Sequence, residues 1–310
     1  MVLFFTLPPS TIDYPYILIN ANKPETGIRY IVQHRGIIEV VIIDSGIEIF
    51  RNPSIKDYPG GAETWIRRLV VLRDRVKSIA PHARIYVTCP DYCDDYHHKA
   101  LWIDENITNI ERTVLNILKC VDWYRDVDWL IPIQGWNKRP PTLIWSLEYL
   151  EQLGVLKDYS YLAVANLCVE PVIRIIRHGL AYVRTWLNNH GYRDHRIHVF
   201  GMKISALKQT IDYINSFDST AWTRPVSTRL WKVLNWSAKS EEERTLFFCE
   251  YMLRLARQRV MIPLKVFEQC LEQVPRIRTV LTSRYRTKAE EIEKVVSEVT
   301  KDLETLLKKE

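Results

Sequence analysis

Apolar residues fall along this chain in two alternating rhythms. Short runs rich in Val, Ile, Leu and Ala, at 3–7, 16–21, 39–44, 84–89, 128–134, 160–166, 196–201 and 213–218, read as strands. Several lack any polar alternation, as strands covered on both faces do. Between them lie stretches of helical period. AETWIRRLVVLRDRVKSIA puts Trp65, Leu69, Leu72 and Val76 on one face with arginines opposite. NITNIERTVLNILKCVDWY, TLIWSLEYLEQLGVL and VIRIIRHGLAYVRTWLNNH behave likewise. This alternation predicts an α/β fold, a (β/α)8 TIM barrel over residues 1–232. Prolines crowd the ends of the first two strands, which are the weakest part of the pattern.

After Asp218 the rhythm changes. TRLWKVLNW, EEERTLFFCEYMLRLARQRV, LKVFEQCLEQV and the stretch 284–310 all read as helices with no strand between them. Residues 233–310 are therefore expected to form an all-helical C-terminal extension, for nucleic-acid binding or dimerisation. Ser240 before Glu241–Glu243 reads as a helix N-cap with acids in the first turn. Ile292, Val295, Val296, Val299 and Leu303 form a seam for the barrel or for a partner, so a homodimer is one expectation.

Four polar side chains end four apolar runs: Asp44, Asp91, Gln134 and Asp218. A parallel barrel gathers the C-terminal ends of its strands around one pocket, so these groups would face one ligand. Taken singly, each has a plainer use. An Asp after a strand often caps the next helix, and a Gln-Gly pair is often a turn. The set, at successive strand ends, points to an enzyme.

Bulk properties narrow the partners. The chain has 310 residues, 47% of them hydrophobic, which suits a folded protein with a sizeable core. It lacks a stretch of about 18 uncharged apolar residues, and MVLFFTLPPS lacks a basic leader, so no membrane and a cytoplasmic location are expected. Cys89, Cys93, Cys120, Cys168, Cys249 and Cys270 form no CxxC pair and are expected as reduced, mostly buried thiols. His97 and His98 follow Cys93 with no second ligand pair, so no metal is assigned there. Net charge is +6, yet residues 254–288 carry nine Lys or Arg against Glu268 and Glu272. Such a stretch suits a polyanion or a solvated helix face.

The motifs IIDSG (42–46), PIQGW (132–136) and SFDST (216–220), in that order at strand ends, resemble the tRNA-guanine transglycosylase superfamily over about residues 1–230. That resemblance implies a (β/α)8 barrel that exchanges guanine in a polynucleotide for a 7-deazaguanine base. It implies Asp218 as nucleophile and Asp44 as general acid/base. Asp91, Gln134, Gly135, Ala165, Asn166 and Leu167 would bind the base, with Phe50 stacking on it. The chemistry needs these types. Displacement at the sugar C1′ takes a carboxylate nucleophile and a second carboxyl to move protons on the bases. A carboxylate can accept from the guanine N1–H and N2–H, and an amide can donate to O6.

The family's zinc cluster of three cysteines and a histidine after the nucleophile is absent here, so no cofactor is expected. Asn166 and the IEIF stretch after DSG also depart from its pattern. The segment 198–225 is more similar to the DpdA-type DNA 7-deazaguanine transglycosylases, so DNA is expected in preference to tRNA. Trp136, Trp222, Arg224 and Arg229 are candidates for contacting the nucleic acid around an unstacked base. Other readings are a tRNA-guanine transglycosylase, a barrel that binds nucleic acid without catalysis, and a lyase or aldolase. The last would need a strand-end Lys, and only Lys203 comes near.

Overall fold

The computed structural model describes residues 2–52, 54–93, 107–135, 139–165, 167, 170–223, 228–234 and 240–308. Nine strands form one sheet: β1 (Val2–Phe5), β2 (Tyr16–Asn20), β3 (Val40–Asp44), β4 (Arg84–Thr88), β5 (Asp128–Ile133), β6 (Tyr161–Val164), β7 (Arg196–Val199), β8 (Ser216–Asp218) and β9 (Val260–Met261). All pairings are parallel, in the order β2-β3-β4-β5-β6-β7-β8-β1-β9. The apolar runs are buried on both faces, as in Val41–Ile42–Ile43 and Leu162–Ala163–Val164. The helix Gly61–Ile79 turns Trp65, Leu69, Leu72 and Val76 inward, the face its period predicts.

The fold is α/β, with a curled parallel sheet like that of a TIM barrel. It differs from the expected barrel at one seam. β1 and β2 share no ladder. They meet at a bridge between Thr6 and Ile17, where Thr6 N–H donates to Tyr16 O (3.3 Å) and Leu18 N–H to Thr6 O (3.1 Å). Leu7-Pro8-Pro9 explains the break, because proline has no N–H to continue a ladder. The first half of the same β1 edge is taken by β9, with Val2 opposite Val260 and Leu3 opposite Met261.

That ninth strand corrects the expectation of a strand-free extension. Two residues are too few to leave a periodic signal. The region after 240 also shares the central core. Phe248 meets Tyr14 and Trp222 edge-on at 6.1 and 5.3 Å, and Tyr251 lies 5.8 Å from Phe4. Ser240 caps the helix Glu241–Ala256 in a capping box with Glu243, as its sequence predicts. The seam of the last helix, Ala289–Leu307, is buried within this chain and packs on the helix Leu264–Arg284.

Two further expectations change. Cys249 and Cys270 form a disulfide rather than staying reduced. They face each other from two packed helices, a pairing that no local spacing announces. Cys89, Cys93 and Cys120 are buried and take no part in that disulfide, and Cys168 lies outside the described residues. In the basic stretch, Arg257, Arg259, Lys265, Arg276, Arg278 and Arg284 are paired within the chain and lie beside Asp302, Asp212, Asp13, Glu242, Glu293 and Glu243. Among the described residues, no helix is long and apolar enough to cross a membrane.

Candidate functional site

Register explains the site. Asn20 and Asp44 are partners at the ends of β2 and β3, and Asp218 pairs with Phe5 at the end of β8. Strands that start level finish level, so their terminal side chains meet at one end of the sheet. There, Asp44, Asp91, Asp218 and Ala165 line one cavity of about 410 Å³. Its wall includes Thr6, Asn20, Glu48 and Phe200, and Lys23, Arg51 and Thr220 stand at its exposed rim. The volume falls in the roughly 300–1,000 Å³ range of small-molecule sites.

The three carboxyl groups are held differently. Asp218 is almost buried, and its Oδ1 accepts from Gly201 N–H at 3.0 Å and lies 3.3 Å from His198 Nε2. Its carbonyl accepts from Met202 N–H at 2.9 Å, which fixes the backbone. Asp91 is 2% exposed and accepts from Ser45 Oγ at 2.7 Å and from Gln134 Nε2. Its carbonyl takes the Tyr58 hydroxyl at 2.9 Å. Burial pushes the Asp91 carboxyl up to about 6, while the donors Ser45 and Gln134 hold it down. Burial also drives the Asp44 carboxyl well above the ordinary range, helped by Glu48, Asp218 and Asp91 nearby and opposed by Gly46 N–H. Asn20 Nδ2 sits between Asp44 Oδ2 (3.4 Å) and Glu48.

This is a division of labour by environment. Burial and the neighbouring carboxylates favour the protonated form of Asp44, whereas the donors Ser45 and Gln134 favour the carboxylate of Asp91. The turn that places Asp44 needs glycine. Gly46 has φ +83°, and a Cβ there would meet the Asn22 side chain at 2.7 Å.

Other predicted residues fall elsewhere. Gln134 stands behind Asp91 rather than on the cavity wall, and its Oε1 has no partner among the described residues. Gly135 lies against the helix Leu143–Gln152, where a Cβ would meet Leu143 N at 2.8 Å. Gly135→Ala is expected to destabilise the fold by about 1–3 kcal/mol by moving that helix, measurable by urea unfolding. Leu167 is buried beside Gly179. Phe50 does not reach the cavity, because it packs on Tyr58 (5.0 Å) and Tyr92 (5.5 Å). Asn166, Trp136, Arg224, His97 and His98 lie outside the described residues. Among those described, no group of three or more His, Cys, Asp or Glu side chains is placed to hold a metal ion.

Two expected nucleic-acid contacts are engaged within the chain. Trp222 is 1% exposed and donates its Nε1–H to Thr6 Oγ1 at 2.9 Å. Arg229 is held by Asp302 (2.8 Å), Glu250 (3.4 Å) and Glu298 (3.5 Å). Its partners come from helices remote in sequence, so no local signal marks it as structural. Arg229→Gln strands the buried Glu250 and is expected to cost about 2 kcal/mol in unfolding experiments. The salt dependence of nucleic-acid binding should not change. A reduced slope would return Arg229 to the interface.

Residues missed in the sequence are Asn20, Glu48, Thr6 and His198. Asn20 ends an apolar run just as Asp44 does, so the strand-end rule carried to β2 finds it. His198 lies inside the run RIHVF and carries no such signal.

No protein-family model matches this chain, and no curated protein matches it. Among solved structures, it is similar to the carboxyl transferase domain of Rhizobium etli pyruvate carboxylase, solved with pyruvate, at a TM-score of 0.35 and 12% identity. The match covers 94% of this chain and 54% of that one, so this chain spans about half its length.

Proposed function

We propose that the chain is a transglycosylase that exchanges guanine in a polynucleotide, DNA in preference to tRNA, for a 7-deazaguanine base. The observation that carries this reading is the meeting of Asp44, Asp91 and Asp218 around one cavity, where burial raises the carboxyls of Asp44 and Asp91. On this reading the sheet is a (β/α)8 barrel narrowed to one bridge at Thr6. Residues 1–232 carry the reaction, and 233–310 brace β1 and serve as the surface for a second copy.

The roles follow from charge. Asp91 accepts the N1–H and N2–H of guanine, and Gln134 and Ser45 hold its carboxylate in place. Asp218 Oδ2 attacks C1′ as the bond to guanine N9 breaks, and the bonding pair leaves with the base. Asp44 supplies the proton that the departing guanine takes up. The incoming deazaguanine returns a proton to Asp44 and attacks C1′, and Asp218 leaves as a carboxylate. Lys23 and Arg51 at the rim lie where flanking phosphates would pass.

The test is incorporation of radiolabelled guanine into DNA and into tRNA, with mass spectrometry of nucleosides from cells with and without the protein. Label entering one pool, with a deazapurine present only when the protein is, supports the reading and identifies the polynucleotide. No exchange in either pool with any deazapurine overturns it.

A further inference from the structure

Buried polar side chains stand among the apolar ones of the sheet. Three of them form a line that ends at Asp218. Tyr161 OH lies 2.5 Å from Ser216 Oγ, Ser216 Oγ lies 2.8 Å from His198 Nδ1, and His198 Nε2 lies 3.3 Å from Asp218 Oδ1. All are buried, and His198 is wholly so. They come from β6, β7 and β8, with His198 and Ser216 directly opposite in register. Phe200, Phe5 and Tyr161 wall the imidazole edge-on at 4.9, 5.8 and 6.4 Å. The ring cannot turn without displacing them.

The hydrogens in this line can be ordered. A buried phenol that does not donate leaves its hydrogen unsatisfied, which costs free energy. Burial pushes the Tyr161 hydroxyl up to about 12, so it keeps its proton. Ser216 Oγ is its hydrogen-bond partner among the described residues. If Tyr161 donates to Ser216, the serine hydrogen is directed at His198 Nδ1. A nitrogen that accepts forces the ring hydrogen onto the other one. Nε2–H then points at Asp218 Oδ1, which also receives Gly201 N–H at 3.0 Å. The head of the line is itself anchored. The Arg196 guanidinium sits 4.3 Å over the Tyr161 ring and donates to Tyr86 OH at 2.7 Å.

We propose that His198 is a positioning residue: the donor series Tyr161 to Ser216 to His198 ties down Asp218 Oδ1, so that Oδ2 is the oxygen turned to the cavity and the one that attacks. No proton travels along the series. Its effect is orientation, because a carboxylate pinned through one oxygen by two donors cannot rotate the other out of line. The role assigned to Oδ2 rests on reading Asp218 as the nucleophile; the hydrogen-bond order does not.

Two measurements on the full chain separate these claims. Nitrogen-15 NMR of the imidazole should find the His198 ring neutral, with its hydrogen on Nε2. Tyr161→Phe, which removes only the hydroxyl, should convert it to a mixture of tautomers. A ring hydrogen on Nδ1, or on both nitrogens, in the unaltered protein overturns the proposal. In the guanine-exchange assay, His198→Ala is expected to lower kcat by about 10²-fold with KM for the polynucleotide unchanged. His198→Gln, which keeps a donor near the Nε2 position, should recover most of that loss. Equal kcat for all three proteins overturns the positioning role. If the unaltered protein shows Nε2–H but exchanges no base, the hydrogen-bond order stands and the proposed reaction falls.

Discussion

Asp218→Asn is expected to lower guanine exchange by on the order of 10⁴-fold or more, the scale seen when a nucleophile is removed from an intact site. The substitution is close to isosteric, and the asparagine Oδ1 can still accept from Gly201 N–H and His198 Nε2. What changes is the atom facing the cavity, an amide nitrogen with no lone pair to offer C1′. Polynucleotide affinity, read by fluorescence anisotropy, should change little. The unaltered protein incubated with guanine-containing nucleic acid should give a covalent adduct on a denaturing gel, and the variant none. A second effect follows from the neighbouring charge. Asp218 is one of the groups that raise Asp44, so removing it should lower the Asp44 carboxyl toward the ordinary range. Full exchange by the variant would remove Asp218 from the reaction.

Much of this arrangement was legible because parallel strands convert position in sequence into position in space. A polar residue ending an apolar run lies at the C-terminal edge of the sheet, and Asp44, Asp91 and Asp218 all obey that rule. What escaped depends on contacts between distant segments. Trp222 and Arg229 look like surface residues until the helix Glu241–Ala256 supplies Phe248 and Glu250. Phe50 sits at the right distance after the DSG motif to stack on a base, but Tyr58 and Tyr92 claim its ring. The disulfide joins residues 21 apart on different helices, beyond any short-range spacing rule. His198 was hidden for the opposite reason. Nothing in RIHVF says that a histidine there faces the one serine that fixes its tautomer.

Asp91→Asn tests the balance between recognition and stability at the cavity. The Asp91 carboxyl titrates at about 6 in the fold against 3.8 for an ordinary aspartate. With the folded value above the unfolded one, the native state holds the proton more tightly between these limits. Stability from this group is therefore highest below about pH 4 and is lost as pH rises to about 6, a cost of about 3 kcal/mol that persists at neutral pH. Asparagine carries no charge to desolvate. Its Oδ1 can still accept from Ser45, and Gln134 can turn its amide so that the unpartnered Oε1 accepts from the new Nδ2–H. Urea unfolding across this pH range should show the variant gaining up to about 3 kcal/mol near neutrality, with that share of the pH dependence removed. Parallel stability curves for the two proteins would mean that Asp91 titrates as it does in the unfolded chain. The same change should weaken base binding by about 10- to 100-fold, because an amide oxygen replaces a carboxylate as acceptor for the guanine N1–H and N2–H. A buried carboxylate that costs the fold about 3 kcal/mol, and is held by Ser45 and Gln134, makes chemical sense where a ligand brings two hydrogens to meet it.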